Sequence, residues 1–109
     1  MMRYGLRESI LHDMVAVFKK YPHIERVVLY GSRAKGCFKP GSDIDICLYG
    51  KNITTMEKNL IAIDLDELDL PYIIDIAVFD SLSHAALREL IERVGIVLYQ
   101  RLGTPLGAR

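Results

Sequence analysis

Two carboxylates spaced for metal binding are the first feature of this sequence that could do chemistry. Asp43 and Asp45 are separated by a single residue. On a strand, both side chains would therefore project from the same face. Carboxylates held so close repel each other unless a cation lies between them, and divalent cations with oxygen ligands meet that need. The pair predicts a metal site on a strand that begins near Asp43.

A third carboxylate, Asp75, stands alone in the apolar segment 72–79, which predicts another strand. An unpaired buried charge costs on the order of several kcal/mol, so Asp75 needs a partner. If the two strands are neighbours, the three carboxylates converge and can hold two Mg²⁺ ions about 4 Å apart, as phosphoryl transfer uses them. The alternative role for Asp75 is a salt bridge to a basic residue of a covering helix. The rival candidates for the third carboxylate are Asp64, Asp69 and Asp80.

A glycine–serine pair precedes the carboxylates at a fixed distance. Gly31 and Ser32 follow the β-branched segment 26–30, and ten residues separate them from Asp43. A glycine at this position lets a phosphate approach the backbone closely. The free N–H groups at the start of a helix favour anions, and Ser32 can donate its hydroxyl to a phosphate oxygen. The pair therefore predicts a triphosphate-binding turn.

Basic residues follow the pair, and Arg33 and Lys35 are predicted to bind the nucleotide. The alternative is that both belong, with Lys39, to a solvated loop face. The formal net charge of the whole chain is zero. Proteins that grip long nucleic acids usually need a basic surface, because phosphate contacts dominate their affinity. We therefore expect no direct binding of nucleic acid.

The elements that must position these residues alternate between helix and strand. Apolar residues at helical spacing predict a first helix over 6–18, with Leu6 on its stripe. Thr54 or Thr55 is expected to cap a second helix, and Ser81 a third that ends at Gly95. The predicted apolar stripe of the second helix consists of Met56, Leu60 and Ile63. The predicted strands are 26–30, 43–48, 72–79 and 96–99. The apolar strands indicate an α/β (α+β) fold, with helices packed on at least one face of a sheet.

The length of 109 residues fits one domain, which we place at 1–101, followed by a flexible C-terminal tail at 102–109. No apolar segment approaches the roughly 20 residues that span a bilayer. Charged residues interrupt the N-terminal segment, so no signal peptide is expected. Two cysteines without metal-ligand spacing fit a reducing compartment. We therefore expect a cytoplasmic protein.

The motif of Gly31, Ser32, Asp43 and Asp45, followed by Asp75, resembles the signature of the DNA polymerase β nucleotidyltransferase superfamily. The short chain is most similar to its minimal, MNT-type branch. The resemblance implies a small mixed β-sheet with helices packed on it, two catalytic Mg²⁺ ions, and transfer of AMP from ATP to an acceptor hydroxyl. It further implies that Gly31 and Ser32 bind the triphosphate, that Asp43 and Asp45 bind metal, and that Asp75 is a general base or metal ligand.

The same resemblance suggests a partner, because minimal members are typically paired with a separately encoded helical HEPN protein. The chain would then be a type VII-like antitoxin that adenylylates a tyrosine of the HEPN toxin. One alternative is a non-catalytic binding module that silences a partner by occlusion. Another is a transferase for a small molecule such as an antibiotic, whose cleft a homodimer completes. Either a homo-oligomer or a hetero-oligomer is consistent with the sequence.

Overall fold

The protein is described by a computed structural model over residues 2–102. Its strands are β1 (Met2–Arg3), β2 (Leu6–Arg7), β3 (Arg26–Tyr30), β4 (Ile44–Tyr49), β5 (Ile74–Val78) and β6 (Ile96–Gln100). Its helices are α1 (Glu8–Phe18), α2 (Gly31–Lys35), α3 (Thr55–Asp66) and α4 (Ala85–Val94), with a 3₁₀ turn at Phe79–Ser81. The predicted order of helices and strands is confirmed. A short N-terminal hairpin of β1 and β2 is added to it.

A mixed sheet of four strands, in the order β5-β4-β3-β6, positions the site. Strand β3 is antiparallel to both of its neighbours, whereas β4 and β5 run parallel. As a consequence, β3 ends at the same end of the sheet where β4 and β5 begin. The three sequence segments that carry the predicted site therefore meet at one end. The fold is the α/β (α+β) class with a small mixed sheet that the sequence predicts.

Helices cover both faces of this sheet, and strand β4 separates the two cores. Ile44, Ile46 and Leu48 face the larger core, to which α1 and α3 contribute. Cys47 faces a smaller core that includes Ile91 of α4. The strict alternation predicted for this strand is thereby confirmed. It follows that Asp45, which has the same parity as Cys47, projects on the α4 side.

The first helix is shorter than the apolar stripe indicates. It begins at Glu8, whereas Leu6 belongs to the hairpin strand β2, where it is fully buried. Leu6 continues the apolar face of α1 because strand β2 leads directly into the helix and buries Leu6 in the same core. The cap predicted at Ser81 is wrong, since Ser81 lies in the 3₁₀ turn and His84 is the N-cap of α4. The His84 Nδ1 atom accepts a hydrogen bond from the backbone N–H of Leu87 at 3.2 Å.

The second helix is capped as predicted, but its stripe is not in the core. The Thr54 hydroxyl and the Glu57 carboxylate form a reciprocal capping box. The buried residues of α3 are Ile61 and Leu65. The three residues of the predicted stripe are instead exposed: Met56 by 72%, Leu60 by 46% and Ile63 by 56%. The helix predicted to run through these residues is therefore confirmed, but they lie on its exposed side.

Within residues 2–102, no helix is both long enough and apolar enough to cross a membrane. The flexible tail predicted at 102–109 falls outside the described residues except for Leu102. The last described contact of the domain is made by Arg101, whose backbone N–H donates to the carbonyl of Glu25 at 2.9 Å.

Candidate active site

Three polar side chains form a row across the sheet at the end where β3, β4 and β5 meet. Tyr30 is the register partner of Asp45 across the antiparallel pair, and Asp45 is the partner of Asp75 across the parallel pair. Register partners project from the same face of a sheet. The prediction that the strand of Asp75 lies beside that of Asp43 and Asp45 is confirmed. The row is the structural basis of the candidate site.

Asp45 lies at the centre of this row and is electrostatically uncompensated. Burial raises the pKa of the Asp45 carboxyl, and so do the charge of Asp75, a hydrogen bond with Asp75 and the charge of Asp43, in decreasing order. All four causes disfavour the ionised carboxylate. Within residues 2–102, no lysine or arginine forms an ion pair with any of these three aspartates. A cation placed among these carboxylates would offset their mutual repulsion.

The backbone of Gly31 approaches the Asp45 carboxylate closely from the end of β3. A Cβ atom added to Gly31 would overlap Asp45 Oδ2 and lie 3.2 Å from its Cγ. Gly31 also has a positive φ of 75°, which side chains disfavour. Both facts require glycine at this position. The glycine of the predicted triphosphate-binding turn thus abuts the predicted metal ligand.

Asp43 lies just before β4 and its side chain is exposed. Among the described residues, no group of three histidine, cysteine or acidic side chains is already gathered into a metal-binding cluster. Magnesium does not require one, because it is usually held by one or two carboxylates together with substrate phosphates and water. The carboxylate oxygens of Asp45 and Asp75, with Asp43 adjacent, fit such a hard cation.

Ser32 and Lys35 lie on the short helix α2, directly after the row. The side chain of Ser32 is partly exposed, and that of Lys35 is fully on the surface. The helix closes at Gly36, whose N–H donates to the carbonyl of Ser32 at 3.0 Å. Lys35 forms no ion pair with the residues that the structure describes. Its ammonium group is accessible to an anion, as the nucleotide-binding prediction requires.

The side chain of Arg33 is buried, whereas a side-chain contact with a nucleotide would need it to be exposed. It is only 1% exposed, and its guanidinium donates to the backbone carbonyls of Tyr4 at 2.9 Å, Pro40 at 3.2 Å and Ser42 at 2.8 Å. A phosphate could reach Arg33 through its backbone N–H, but its side chain is committed to the fold. The alternative of a solvated loop face is wrong for Arg33 as well.

The rivals of Asp75 lie away from the row. Asp64 accepts a hydrogen bond from the Tyr21 hydroxyl and pairs with Lys20 at 3.6 Å, so it joins α3 to the end of α1. Asp69 follows α3 on the surface. Asp80 lies beyond the far end of β5, in the 3₁₀ turn. The register favours Asp75 as the third carboxylate.

Tyr30 is the one member of the row that the sequence did not indicate as a site residue. A tyrosine at the end of an apolar strand is usually predicted to lie in the hydrophobic core. Burial, followed by the charges of Asp45, Cys47 and Asp75, raises the pKa of its phenol to about 12. The phenol is therefore protonated at neutral pH and can donate a hydrogen bond. The only sequence signal is its position directly before the glycine–serine pair.

Comparison with known proteins agrees with this geometry. Residues 12–102 match the family described as polymerase beta, nucleotidyltransferase. No protein with a curated description matches the chain. A crystal structure of a toxin–antitoxin complex with AMP-PNP superposes with a TM-score of 0.69 at 21% identity, covering 84% of this chain and 74% of the other. The MntA–HepT toxin–antitoxin superposes with a TM-score of 0.65 at 18% identity, covering 87% and 74%.

A third solved structure holds a tri-AMPylated Shewanella oneidensis HEPN toxin in complex with an MNT antitoxin. It superposes with a TM-score of 0.65 at 18% identity, covering 86% of this chain and 72% of the other. At these identities the likeness establishes the fold. The family match spans the turn, the row and all four strands of the mixed sheet. This chain therefore belongs to the polymerase beta nucleotidyltransferase family.

Proposed function

We propose that this chain transfers AMP from ATP to an acceptor hydroxyl, with Mg²⁺ held by Asp43 and Asp45 and with Asp75 at the acceptor side. The observation that carries the proposal is the register of Asp45 with Asp75 beside the close approach of Gly31. That arrangement concentrates negative charge where the backbone leaves room for a phosphate. The family match supplies the reaction class.

Different residues of the chain would bind the nucleotide and accept the proton in this reaction. Gly31 and Ser32 bind the triphosphate through backbone N–H groups and the Ser32 hydroxyl, and Lys35 adds positive charge. Asp75 accepts the proton of the acceptor hydroxyl, whose oxygen forms a bond to the α-phosphorus. The bond from that phosphorus to its bridging oxygen breaks, and pyrophosphate leaves. Bound Mg²⁺ would neutralise the charge that builds on the phosphate oxygens.

The accessible position of Asp75 suits a large acceptor. Asp75 is exposed and lies on β5, which is an edge strand of the mixed sheet. An acceptor can therefore reach it from outside the sheet without any opening of the fold. We propose that the acceptor is a tyrosine of a helical HEPN-type protein, which the chain silences in the cytoplasm as a type VII-like antitoxin. A solved structure of similar fold that holds an AMPylated HEPN toxin with an MNT antitoxin supports this choice.

The first experiment is calorimetry of ATP binding with and without Mg²⁺, comparing the wild type with Asp43→Asn and Asp45→Asn. Each substitution removes a proposed metal ligand, and we expect binding to weaken at least about a hundredfold, since even supporting contacts of metal ligands are worth ten- to a hundredfold. Asp69→Asn is the matched control, because it removes an exposed carboxylate outside the row and asparagine also tolerates its positive φ of 55°. Equal weakening in the control would refute the site.

The second experiment tests transfer itself. The chain is co-expressed with a separately encoded helical HEPN-type protein, and the mass of that protein is measured for added adenylyl groups. We expect the wild type to add them and the Asp43→Asn, Asp45→Asn double variant to add none. Silencing of the toxin that survives in the double variant would instead identify the chain as a binding module that acts by occlusion.

A further inference from the structure

An exposed apolar surface on α3 and β5 has no role in the site as described so far. It consists of Met56, Leu60 and Ile63, which share one side of α3, together with Ile73, which is 67% exposed. Ile63 and Ile73 line the same groove of about 420 Å³ between the helix and the edge strand. Large apolar side chains that are gathered on a protein surface, rather than scattered singly, often mark interaction sites. We refer to these four residues as the α3–β5 surface.

The α3–β5 surface shares the edge strand β5 with the proposed acceptor side of the active site. Ile73 lies two residues before Asp75, a separation of roughly 7 Å along an extended chain. The carbonyl of Ile73 accepts a hydrogen bond from the N–H of Ile44 at 2.9 Å, which fixes this segment against β4. The outer edge of β5 pairs with no other strand in residues 2–102. Asp75 projects from the α4 side of the sheet, opposite to α3, so a protein seated on the groove reaches Asp75 by extending around the open edge of β5.

The charges around the groove indicate what that protein should look like. Asp66 lines the groove, and the neighbouring Glu67 and Asp69 are also exposed. An acidic rim beside an apolar groove favours a helix with an apolar stripe and flanking basic residues. Stable interfaces involve roughly 20–30 residues on each partner, which is far more than the four residues of the α3–β5 surface. The occupant must therefore extend past the groove, and the open edge of β5 is the side that leads to Asp75.

We propose that the α3–β5 surface is the docking surface for the acceptor protein, which presents a basic-flanked amphipathic helix to the groove and its acceptor hydroxyl to Asp75. The proposal rests on the transfer function proposed above and adds the surface through which the acceptor is selected. Selection at the groove explains how a chain without a base- or acceptor-binding domain among its described residues can act on one protein. It also explains why a helical stripe of large aliphatic residues is exposed.

The test measures binding of the full chain to a separately encoded helical HEPN-type protein, by calorimetry and light scattering. The variants are Leu60→Glu, which keeps a good helix former at an exposed position, and Ile73→Gln. We expect each to weaken binding at least about tenfold, as residues central to an interface do, and to reduce adenylyl transfer in parallel. Both should bind Mg-ATP as the wild type does. Val97→Glu is the matched control, because Val97 is 50% exposed on the opposite edge strand β6.

The outcomes separate this proposal from the proposed function. Wild-type affinity in Leu60→Glu, or no binding of this protein by the wild type, would overturn the docking surface. An isolated chain that is dimeric and becomes monomeric on Leu60→Glu would also overturn it, because a second copy would then be the occupant. If docking depends on Leu60 but the docked protein never gains an adenylyl group, the docking surface stands and the transfer function fails.

Discussion

Arg33 and Asp45 are charged side chains in neighbouring parts of the molecule, the first buried and the second partly buried, and their surroundings compensate the two charges differently. The guanidinium of Arg33 meets three backbone carbonyls and lies over the rings of Phe38 and Tyr72, at 5.2 Å and 4.9 Å from their centroids. The carboxylate of Asp45 meets other carboxylates. One charge is compensated by the fold, and the other lies among like charges.

This difference separates a charge that holds the structure together from a charge kept for function. Buried polar groups that only support a fold are normally hydrogen-bonded. A group left with raised pKa among like charges destabilises the fold, so it is expected where a ligand supplies the compensation. Arg33 also shows that the side chain of a basic residue beside a predicted phosphate-binding turn can be used by the fold instead. Removing each charge in turn tests the comparison.

The largest effect is expected for Arg33→Ala. The substitution leaves the carbonyls of Tyr4, Pro40 and Ser42 without their donor and opens a cavity between two aromatic rings, so we expect a loss of about 3–5 kcal/mol in the free energy of unfolding. Chemical denaturation measures it. Lys35→Ala, on the surface of the same helix, should change stability by less than about 0.5 kcal/mol. Similar stability of the two variants would mean that Arg33 does not hold the loop.

A smaller effect is expected for Gly31→Ala, for which Gly36→Ala is the matched control. Both glycines have a positive φ, of 75° and 84°, so both variants lose about 1–2 kcal/mol to backbone strain. Only the Cβ at Gly31 meets the Asp45 carboxylate, whereas nothing lies within 4 Å of the one at Gly36. We expect Gly31→Ala alone to lose a further 1–3 kcal/mol, roughly the cost of overpacking. It alone should also lose Mg-dependent ATP binding, and equal ATP binding in both variants would contradict the close approach.

The sequence predicts the elements that position the site because their signals are local. The apolar strand before Gly31 and the alternation after Asp43 each determine a face without reference to the rest of the chain. The pairing of Asp75 with Asp45 was a conditional prediction, since strand neighbours are set by the tertiary fold. The structure supplies that condition through the parallel register of β4 and β5.

What the sequence could not predict depends on contacts between distant segments. The carbonyls that satisfy Arg33 come from the N-terminal hairpin and the Pro40 turn, so no local pattern distinguishes Arg33 from Lys35. The stripe of Met56, Leu60 and Ile63 has the spacing of a core face, and helical periodicity cannot tell burial in the chain's own core from exposure to a partner. The roles of the site residues stay predictions until the nucleotide and transfer experiments are done.

The smallest effect, and the sharpest test of the comparison, is expected for Asp45→Asn in protein freed of metal with a chelator. Because the folded-state pKa of Asp45 is raised, the folded chain binds more protons than the unfolded chain over a range that begins near the ordinary aspartate pKa. The contribution of Asp45 to stability is therefore present at low pH and is lost as the pH rises through its folded-state pKa. Asparagine does not ionise, so the Asp45→Asn variant should be more stable than the wild type at neutral pH. We expect a gain of less than about 1 kcal/mol in the free energy of unfolding, because solvent screens a partly exposed group.

Urea unfolding from pH 4 to pH 8 measures the difference in stability between the variant and the wild type, which should grow with pH and then level off. A variant that is less stable than the wild type at neutral pH would place Asp45 in the same class as Arg33, as a charge that the fold already satisfies.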